Sequence, residues 1–399
     1  MTRMTLEHTP NALEQSCLDD LLERFSIEVV PVRLTKTMLG KSIIDARAPL
    51  RYHLRNAGLV EYSALVQGPR GKLQAPLPFV TSKGVDRRVT SFYRPITKDG
   101  DPRIWVEKLA AVAAPGDLLL FVFAGSTTLA LLMDRDVEAL SHHLSTLVPG
   151  RYEERGKVER TVERLRSAIA PLATEWVQTK RAGPTGVGFT FESLLGLAAN
   201  SSMLADVDGV ELKSYRMGSM TGRGKLMTLF SKTPVWTHGG RGLGLLNRYG
   251  YIDKDGRRAL YCTVMKKRNS LGFELEPHVD AARILVNHKK ELAMQYHFAT
   301  LRQRLEEKHP ATLFVRAESR GRGAKEEFRY TDVTLCREPS FSNFLDLVED
   351  SELGLDLTLH VKENGRARDH GYLWRVYEPS IPRLFAYRRL LSGTALAGQ

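Results

Sequence analysis

Two carboxylates and a lysine lie close together in the segment Asp206-Val-Asp-Gly-Val-Glu211-Leu-Lys213. Side chains at positions i and i+2 of a strand share a face, so Glu211 and Lys213 should project together, with Leu212 turned into the core. Asp206, in the turn before the strand, can fold back beside Glu211. Two adjacent carboxylates repel unless a hard cation lies between them, and Mg²⁺ prefers such oxygen ligands. With a lysine to orient water or stabilise a phosphate, the segment predicts Mg²⁺-dependent phosphodiester hydrolysis.

The motif leaves alternatives open. Taken alone, it also fits an ordinary strand that carries an exposed salt bridge. Asp208 could replace Asp206 if the turn were wound differently, although its distance along the chain to Glu211 is then only three residues. A third carboxylate, Glu192, lies near the start of a predicted helix. The apolar residues expected on the buried face of that helix are Phe189, Leu194, Leu195 and Leu197.

The chain becomes strongly basic after the motif. From Lys213 to Arg268 there are 13 Lys and Arg residues but only two acids, Asp253 and Asp255. An acidic pocket within a basic surface suits an enzyme that holds a nucleic-acid backbone and a metal ion. Double-stranded DNA is therefore the expected partner.

Three short runs resemble the MvaI/BcnI family of type II restriction endonucleases, which is related to the mismatch-repair nickase MutH. They are GFTFESLLG at 188–196, DVDGVELKS at 206–214 and TLFSKTP at 228–234. The resemblance covers roughly residues 180–390 and implies a PD-(D/E)xK nuclease domain with a mixed central sheet. It implies that Glu192, Asp206, Glu211 and Lys213 form the active site. It also implies a monomer that nicks the two strands in turn at a five-base-pair CC-N-GG type site with a central A/T or G/C pair, of which we expect the A/T form, CCWGG.

Several cations of the second half are candidate DNA contacts. The segment Arg368-Asp-His370-Gly-Tyr-Leu-Trp-Arg375 resembles a family segment that reads base edges, which implies that role for His370 and Arg375. His238 lies in a glycine-flanked loop and could contact DNA, although a structural role suits it equally. Arg320 and Arg322 flank Gly321 in a basic loop.

The first half has a charge signal of its own. Between Pro31 and Lys108 there are 15 Lys and Arg residues against six acids. Arg94, Lys98 and Arg103 are candidate DNA contacts because arginine forks onto phosphates and guanine edges. This half is predicted to be mainly β, and it resembles the N-terminal effector domain of EcoRII, a B3-like pseudobarrel that binds DNA. The resemblance implies a type IIE enzyme with DNA bound through both domains.

The predicted organisation is α/β overall, with three parts. Residues 1–150 form the B3-like domain, 151–182 a helical linker and 183–399 the nuclease domain. Helices are expected at 11–25, 136–147 and 292–307. Strands are expected at 27–34, 59–66, 89–93, 118–123, 129–133, 210–215, 225–230, 258–265, 312–317, 327–335 and 355–361.

Composition limits the remaining possibilities. The formal net charge is +12, which points to a polyanionic partner. No segment reads as a signal peptide or a membrane span, and the three scattered cysteines fit a reducing cytoplasm. Two rival functions remain, a MutH-like repair nickase and a non-enzymatic DNA-binding regulator.

Overall fold

A computed structural model of the chain describes residues 10–151, 157–196, 207–217, 224–237 and 242–392. Its helices are α1 Ala12–Arg24, α2 Lys36–Lys41, α3 Ala48–Asn56, α4 Val137–Ser145, α5 Lys157–Ile169, α6 Gly186–Leu194, α7 Gly242–Tyr249, α8 Phe298–Lys308 and α9 Phe341–Glu349. Short 3₁₀ turns occur between them.

The strands of the first half are β1 Glu28–Arg33, β2 Ile43–Asp45, β3 Leu73–Thr81, β4 Gly84–Tyr93, β5 Arg103–Val106, β6 Leu118–Ala124, β7 Thr127–Leu132 and β8 Val177–Gln178. Those of the second half are β9 Val210–Arg216, β10 Leu226–Ser231, β11 Val235–Trp236, β12 Tyr251–Ile252, β13 Arg258–Val264, β14 Phe273–His278, β15 Arg283–His288, β16 Glu291–His297, β17 Ala311–Arg320, β18 Glu327–Pro339, β19 Leu353–Val361, β20 Ala367–Tyr377 and β21 Phe385–Ser392.

The first half is built on a seven-stranded sheet in the order β1-β6-β7-β3-β4-β5-β2. Its strands pair antiparallel except β3 with β7. Strand β6 is buried along its whole length because both faces of the sheet are covered. Leu120 and Val122 pack against α1 and α4, whereas Leu119 and Phe121 pack towards α2 and α3. The mainly β character predicted for this half is confirmed.

A second mixed sheet has the order β21-β18-β17-β9, with β8 paired to β18. Strand β9 runs parallel to β17 and forms the edge of this sheet in the described part of the chain. Val162 and Leu165 of α5 and Phe191 of α6 cover one face. Helix α8 approaches the other face, so the edge strand lies between two helical layers.

Two further sheets complete the second half. One has the order β10-β20-β19-β13-β12 and the other β11-β16-β15-β14. Their apolar faces share a core with α7, α8 and α9, in which Trp374 and Phe344 are fully buried. This α/β arrangement with mixed sheets agrees with the predicted fold class.

Helix α3 joins the first half to the second through charged contacts. Arg47 lies 3.2 Å from Asp346 and 2.7 Å from Asp350, both on or next to α9. Arg383 contacts the same two carboxylates at 2.9 and 2.7 Å. Arg55 donates to the carbonyl of Val279 at 2.8 Å. Two arginines of the first half, Arg47 and Arg55, are therefore engaged in contacts with the second half.

Two predicted elements were wrong. Residues 59–66 form no strand, because Val60 and Tyr62 enter the core from a 3₁₀ turn at Tyr62–Ala64, where the Tyr62 hydroxyl donates to the Arg103 carbonyl. The helix predicted over 292–307 begins only at Phe298. The residues before it form β16, in which Met294 and Tyr296 alternate into the core.

Among the described residues, no helix combines the length and the apolar character needed to cross a membrane.

Candidate active site

Strand β9 presents different chemistry on its two faces. Val210 and Leu212 are buried among the apolar side chains of α5 and α6. Glu211 and Lys213 point to the other side, where Glu211 Oε1 lies 2.6 Å from Lys213 Nζ. The parallel register sets Thr312 of β17 beside Glu211. The two-residue spacing thus places a carboxylate and an ammonium together, as the alternation of a strand requires.

A tight turn precedes this strand. Asp208 and Gly209 both have positive φ, +47° and +87°. Val207 and Val210 exchange two backbone hydrogen bonds of 2.9 and 2.7 Å across them. A two-residue connection with two positive φ values is the usual hairpin geometry, and it favours an Asp-Gly pair. The chain therefore reverses direction immediately before the candidate site.

The turn also separates the two aspartates between which the sequence left a choice. Asp208 Oδ2 lies 3.2 Å from Nη2 of Arg164 on α5. The Asp208 carboxylate is thus paired with a residue of α5. Asp206 lies outside the described residues, so its predicted position beside Glu211 stays a prediction.

Glu211 is enclosed by two lysines. Its side chain is 1% exposed, and its second oxygen, Oε2, lies 2.9 Å from Lys308 Nζ. Neither carboxylate oxygen accepts a well-aligned hydrogen bond from the described residues. A buried carboxylate is costly unless cations compensate it, and the ammonium groups of Lys213 and Lys308 do so here.

Lys308 was missed in the sequence analysis, although its position could have indicated it. It is the last residue of α8, and only two residues separate it from β17, the strand that pairs parallel with β9. Parallel strands bring their beginnings together, so the residues that precede β17 lie near the start of β9. The predicted helix ended one residue short, at Glu307.

His309 anchors the chain next to the candidate active site through two side-chain contacts. It is fully buried, with Nε2 3.1 Å from the Leu229 carbonyl and Nδ1 3.3 Å from the Thr312 hydroxyl. Burial, reinforced by the positive charge of Lys213, lowers the pKa of His309 to about 3. The ring is therefore neutral near pH 7 and serves as a hydrogen-bonded anchor rather than a proton donor.

Helix α6 carries Glu192, which is half-buried. The helix packs through Val187 and Phe191, and Ser214 of β9 donates to the Val187 carbonyl at 3.3 Å. Ser214 lies on the face of β9 opposite to Glu211. A side chain from α6 would have to pass the edge of the sheet to reach Glu211.

The buried face of α6 differs from the predicted one. The buried residues are Gly186, Val187, Thr190 and Phe191, whereas Leu194 and Leu195 are only partly buried. Phe189 is stacked against the guanidinium of Arg181, 3.9 Å from its ring centre. Leu197 lies outside the described residues.

The donor set suits a hard divalent cation only in part. In the part of the chain that the structure describes, no group of three or more His, Cys, Asp or Glu side chains could enclose a metal ion. Glu211 nevertheless offers two buried carboxylate oxygens without well-aligned hydrogen bonds. Such oxygens are the ligands that Mg²⁺ prefers, with water completing its coordination.

A sequence model of the MvaI/BcnI restriction endonuclease family matches residues 169–385, which include β9, α8 and β20. The chain belongs to the MvaI/BcnI restriction endonuclease family. Membership makes it a DNA-cleaving hydrolase of the type II restriction class, and enzymes of this family generally use divalent metal ions.

One solved structure agrees with this assignment. The restriction endonuclease MvaI in complex with its cognate DNA substrate is 25% identical, with a TM-score of 0.50. That match covers 60% of this chain and 99% of MvaI. MvaI in the absence of DNA is 23% identical, with a TM-score of 0.39, over 60% of this chain and 100% of the other. No curated protein sequence matches the chain.

Within the segment that matches the MvaI/BcnI family, the two predicted base-reading residues have different surroundings. His370 is exposed on β20, and its ring centre lies 5.8 Å from that of His360. Arg375 is engaged inside the sheet, where its guanidinium is 2.5 Å from Asp356 and donates to the Leu226 carbonyl at 2.6 Å. The bidentate guanine contact predicted for Arg375 therefore requires a guanidinium that already contacts Asp356 and the Leu226 carbonyl.

The two arginines predicted to contact DNA from the basic loop differ in how far they are engaged in contacts within the protein. Arg320 is paired with Glu327 at 2.6 Å and lies over the ring of Trp176 at 4.3 Å, yet its side chain is 54% exposed. Arg322 is exposed beside it. His238 lies outside the described residues.

The predicted contacts in the first half, outside the matched segment, also differ from one another. Arg94 is half-buried and donates to the Gly100 carbonyl at 3.0 Å. The side chain of Lys98 lies outside the described part of the structure. Arg103 is buried and paired with Asp45, so the prediction that it contacts DNA conflicts with its position.

Proposed function

We propose that the chain is a Mg²⁺-dependent type II restriction endonuclease that cleaves both strands at a CC-N-GG type site, CCWGG. One observation carries this proposal. The buried carboxylate of Glu211 is held next to Lys213 on an edge strand, within the segment that matches the MvaI/BcnI family. An edge strand leaves space for a DNA backbone to approach, whereas a central strand would be covered by its neighbours.

The chain's own residues would divide the work as follows. Glu211 and Asp206 would hold Mg²⁺, and the Asp208-Gly209 turn supports this pairing because it reverses the chain just after Asp206. When bound, the cation supplies Lewis-acid stabilisation of the charge that develops on the phosphate. Lys213 would donate hydrogen bonds that orient the attacking water or the scissile phosphate. Glu192 would tune or complete the site from α6 by reaching around the edge of the sheet.

The first half would bind DNA as an effector module, as in type IIE enzymes. The resemblance to the B3-like effector domain of EcoRII motivates this role, and the pairing of the two halves resembles that of UbaLAI. A patch of exposed cations and apolar side chains supports it. Lys72 lies over the ring of Trp105 at 5.1 Å, Arg70 is exposed nearby in sequence, and Ile96 is 73% exposed.

The module boundaries and the assembly belong to the same proposal. Residues 1–150 would form the effector module, 151–182 the linker and 183–399 the nuclease. Helix α5, inside that linker, packs Val162 and Leu165 against the nuclease sheet. The enzyme would act as a monomer in the cytoplasm.

Cleavage of plasmids that carry one CCWGG site, one CCSGG site or neither tests this function. The proposal predicts double-strand ends mapped to CCWGG in Mg²⁺ and none in a chelator. A nick confined to hemimethylated DNA would instead identify a MutH-like nickase. Specific binding without cleavage under any divalent cation would identify a DNA-binding regulator. Stimulation by a second duplex that carries the site would support the effector role.

A further inference from the structure

Helix α8 ends at the candidate active site. Its last residue, Lys308, places Nζ 2.9 Å from Oε2 of Glu211, and the Lys308 side chain is only 14% exposed. The ammonium thus stands against one of the two oxygens that a divalent cation would need. It is also held there by a helix rather than by a loop.

The beginning of the same helix touches the first half of the chain. The ring of Tyr52 on α3 lies edge-on to that of Phe298, the first residue of α8, with centres 6.1 Å apart. One turn later, Arg302 of α8 lines the same cavity as Tyr52. The backbone N–H of Phe298 donates to the carbonyl of Ala282 at 2.9 Å, in the turn whose Val279 carbonyl accepts from Arg55 of α3.

A cavity lies beside this contact. Its volume is about 550 Å³, and it is lined by His53, Tyr52 and Phe123 from the first half and by Arg302 and Glu306 from α8. Among the described residues, the buried Nε2 of His53 has no hydrogen-bond partner. Helix α8 is therefore in contact with α3 at its start, is buried in the core through Leu301 and Leu305, and borders this cavity with Arg302 and Glu306.

We propose that the Lys308 ammonium pairs with the Glu211 carboxylate in the metal-free chain and thereby competes with a divalent cation. We further propose that the α3–α8 contact sets the strength of this ion pair. The first half would thereby control the affinity of Glu211 for a divalent metal. This inference rests on the proposed function of Glu211 as a metal ligand. Lys308 would act as a positioning residue that competes with the metal and does not touch the substrate.

The electrostatic consequence has a definite sign. A metal ion at Glu211 would stand next to the Lys308 ammonium, and like charges a few ångströms apart repel even at a protein surface. Replacing Lys308 with methionine keeps the apolar stem but removes the charge. Lys308→Met should therefore bind a divalent cation at least about threefold more tightly. Lys308→Arg, which keeps the charge, should not.

Binding of Mn²⁺ to the full-length chain without DNA, followed by electron paramagnetic resonance, tests this. Lys266→Met is the matched control, because Lys266 pairs with Glu349 at 3.7 Å away from Glu211. Tyr52→Ala should also tighten Mn²⁺ binding, since it loosens α8. It should have no further effect in the Lys308→Met chain, because the Lys308 charge is then absent. Tyr52→Phe keeps the ring contact, guards against a fold defect in Tyr52→Ala and should change the affinity less.

Three outcomes would count against the inference or its basis. Unchanged or weaker Mn²⁺ binding in Lys308→Met overturns the role of Lys308. Strictly additive effects of Tyr52→Ala and Lys308→Met overturn the coupling through α8. If Glu211→Gln binds Mn²⁺ as well as the unaltered chain does, the proposed metal site itself fails, which distinguishes that failure from the other two.

Discussion

Glu211 and Lys213 meet on the same face of the edge strand β9, with 2.6 Å between carboxylate oxygen and ammonium nitrogen. Lys213 is 27% exposed, whereas Glu211 is 1% exposed. The lysine therefore reaches towards solvent, while the carboxylate is fixed behind it. This difference assigns them separate tasks in the proposed reaction.

Lys213→Gln should lower the cleavage rate by about a hundredfold to a thousandfold, because a donor that stabilises developing charge is lost. DNA binding in Ca²⁺ should change little. The control is Lys267→Gln, an exposed lysine of the same basic stretch. Single-turnover cleavage and gel-shift affinity measure the two effects. An active Lys213→Gln enzyme would remove this residue from the site.

His309 should make the chain sensitive to acid. Its pKa is about 3 in the folded state, below the usual value near 6.5, so the unfolded chain takes up a proton first as pH falls. The stabilising contribution is fully present above about pH 6.5 and is lost towards pH 3, by at most about 1.4 kcal/mol per pH unit. His309→Gln cannot titrate, so its unfolding free energy in urea should depend less steeply on pH over this window. Equal slopes in both chains would contradict the assignment.

Arg375→Ala should act on stability rather than on base preference. It leaves the Asp356 carboxylate and the Leu226 carbonyl without this partner, at a cost of about 1–3 kcal/mol. Urea unfolding measures the loss. Relative cleavage rates on targets that differ at single base pairs should keep their order. A stable variant with altered preference would restore the base-reading role.

His370→Ala should relax sequence preference, because the exposed imidazole can donate to or accept from a base edge. A lost contact of this kind typically reduces discrimination by about 1–3 kcal/mol. His278→Ala, another exposed histidine at the end of a strand, is a suitable control. Cleavage rates on single-substituted targets provide the measurement. An equal loss on every target would show that His370 contributes only general affinity.

Lys72→Gln should weaken binding of an effector duplex and reduce the salt dependence of that binding by about one counterion. The lysine lies over Trp105 within the exposed patch of the first half. Lys36→Gln, on α2, is the control. Binding is measured at several salt concentrations with a nuclease-inactive chain. An unchanged affinity and salt slope would move the proposed DNA surface elsewhere.

The local pattern of β9 was enough to predict that Glu211 and Lys213 share a face, because strand alternation depends on two residues alone. Lys308 could not be found in this way, because its proximity to Glu211 arises from parallel pairing between β9 and β17. The charge count of the first half could not distinguish exposed cations from paired ones, for a related reason. It treated Arg103 as available for DNA, whereas this side chain is paired inside the fold. Secondary structure failed at 292–297 because tertiary packing places these residues in a sheet.

The most direct test compares plasmid cleavage by three chains, the unaltered one, Glu211→Gln and Glu318→Gln. Glu318 is a matched control because its carboxylate pairs with Arg329 at 2.5 Å on the same sheet, away from Lys213. We predict that the unaltered chain and Glu318→Gln linearise DNA in Mg²⁺ and do not cleave it in a chelator. Glu211→Gln should cleave DNA in neither condition, although it still binds DNA. Cleavage by Glu211→Gln at an undiminished rate, or cleavage by the unaltered chain in the chelator, would contradict the prediction.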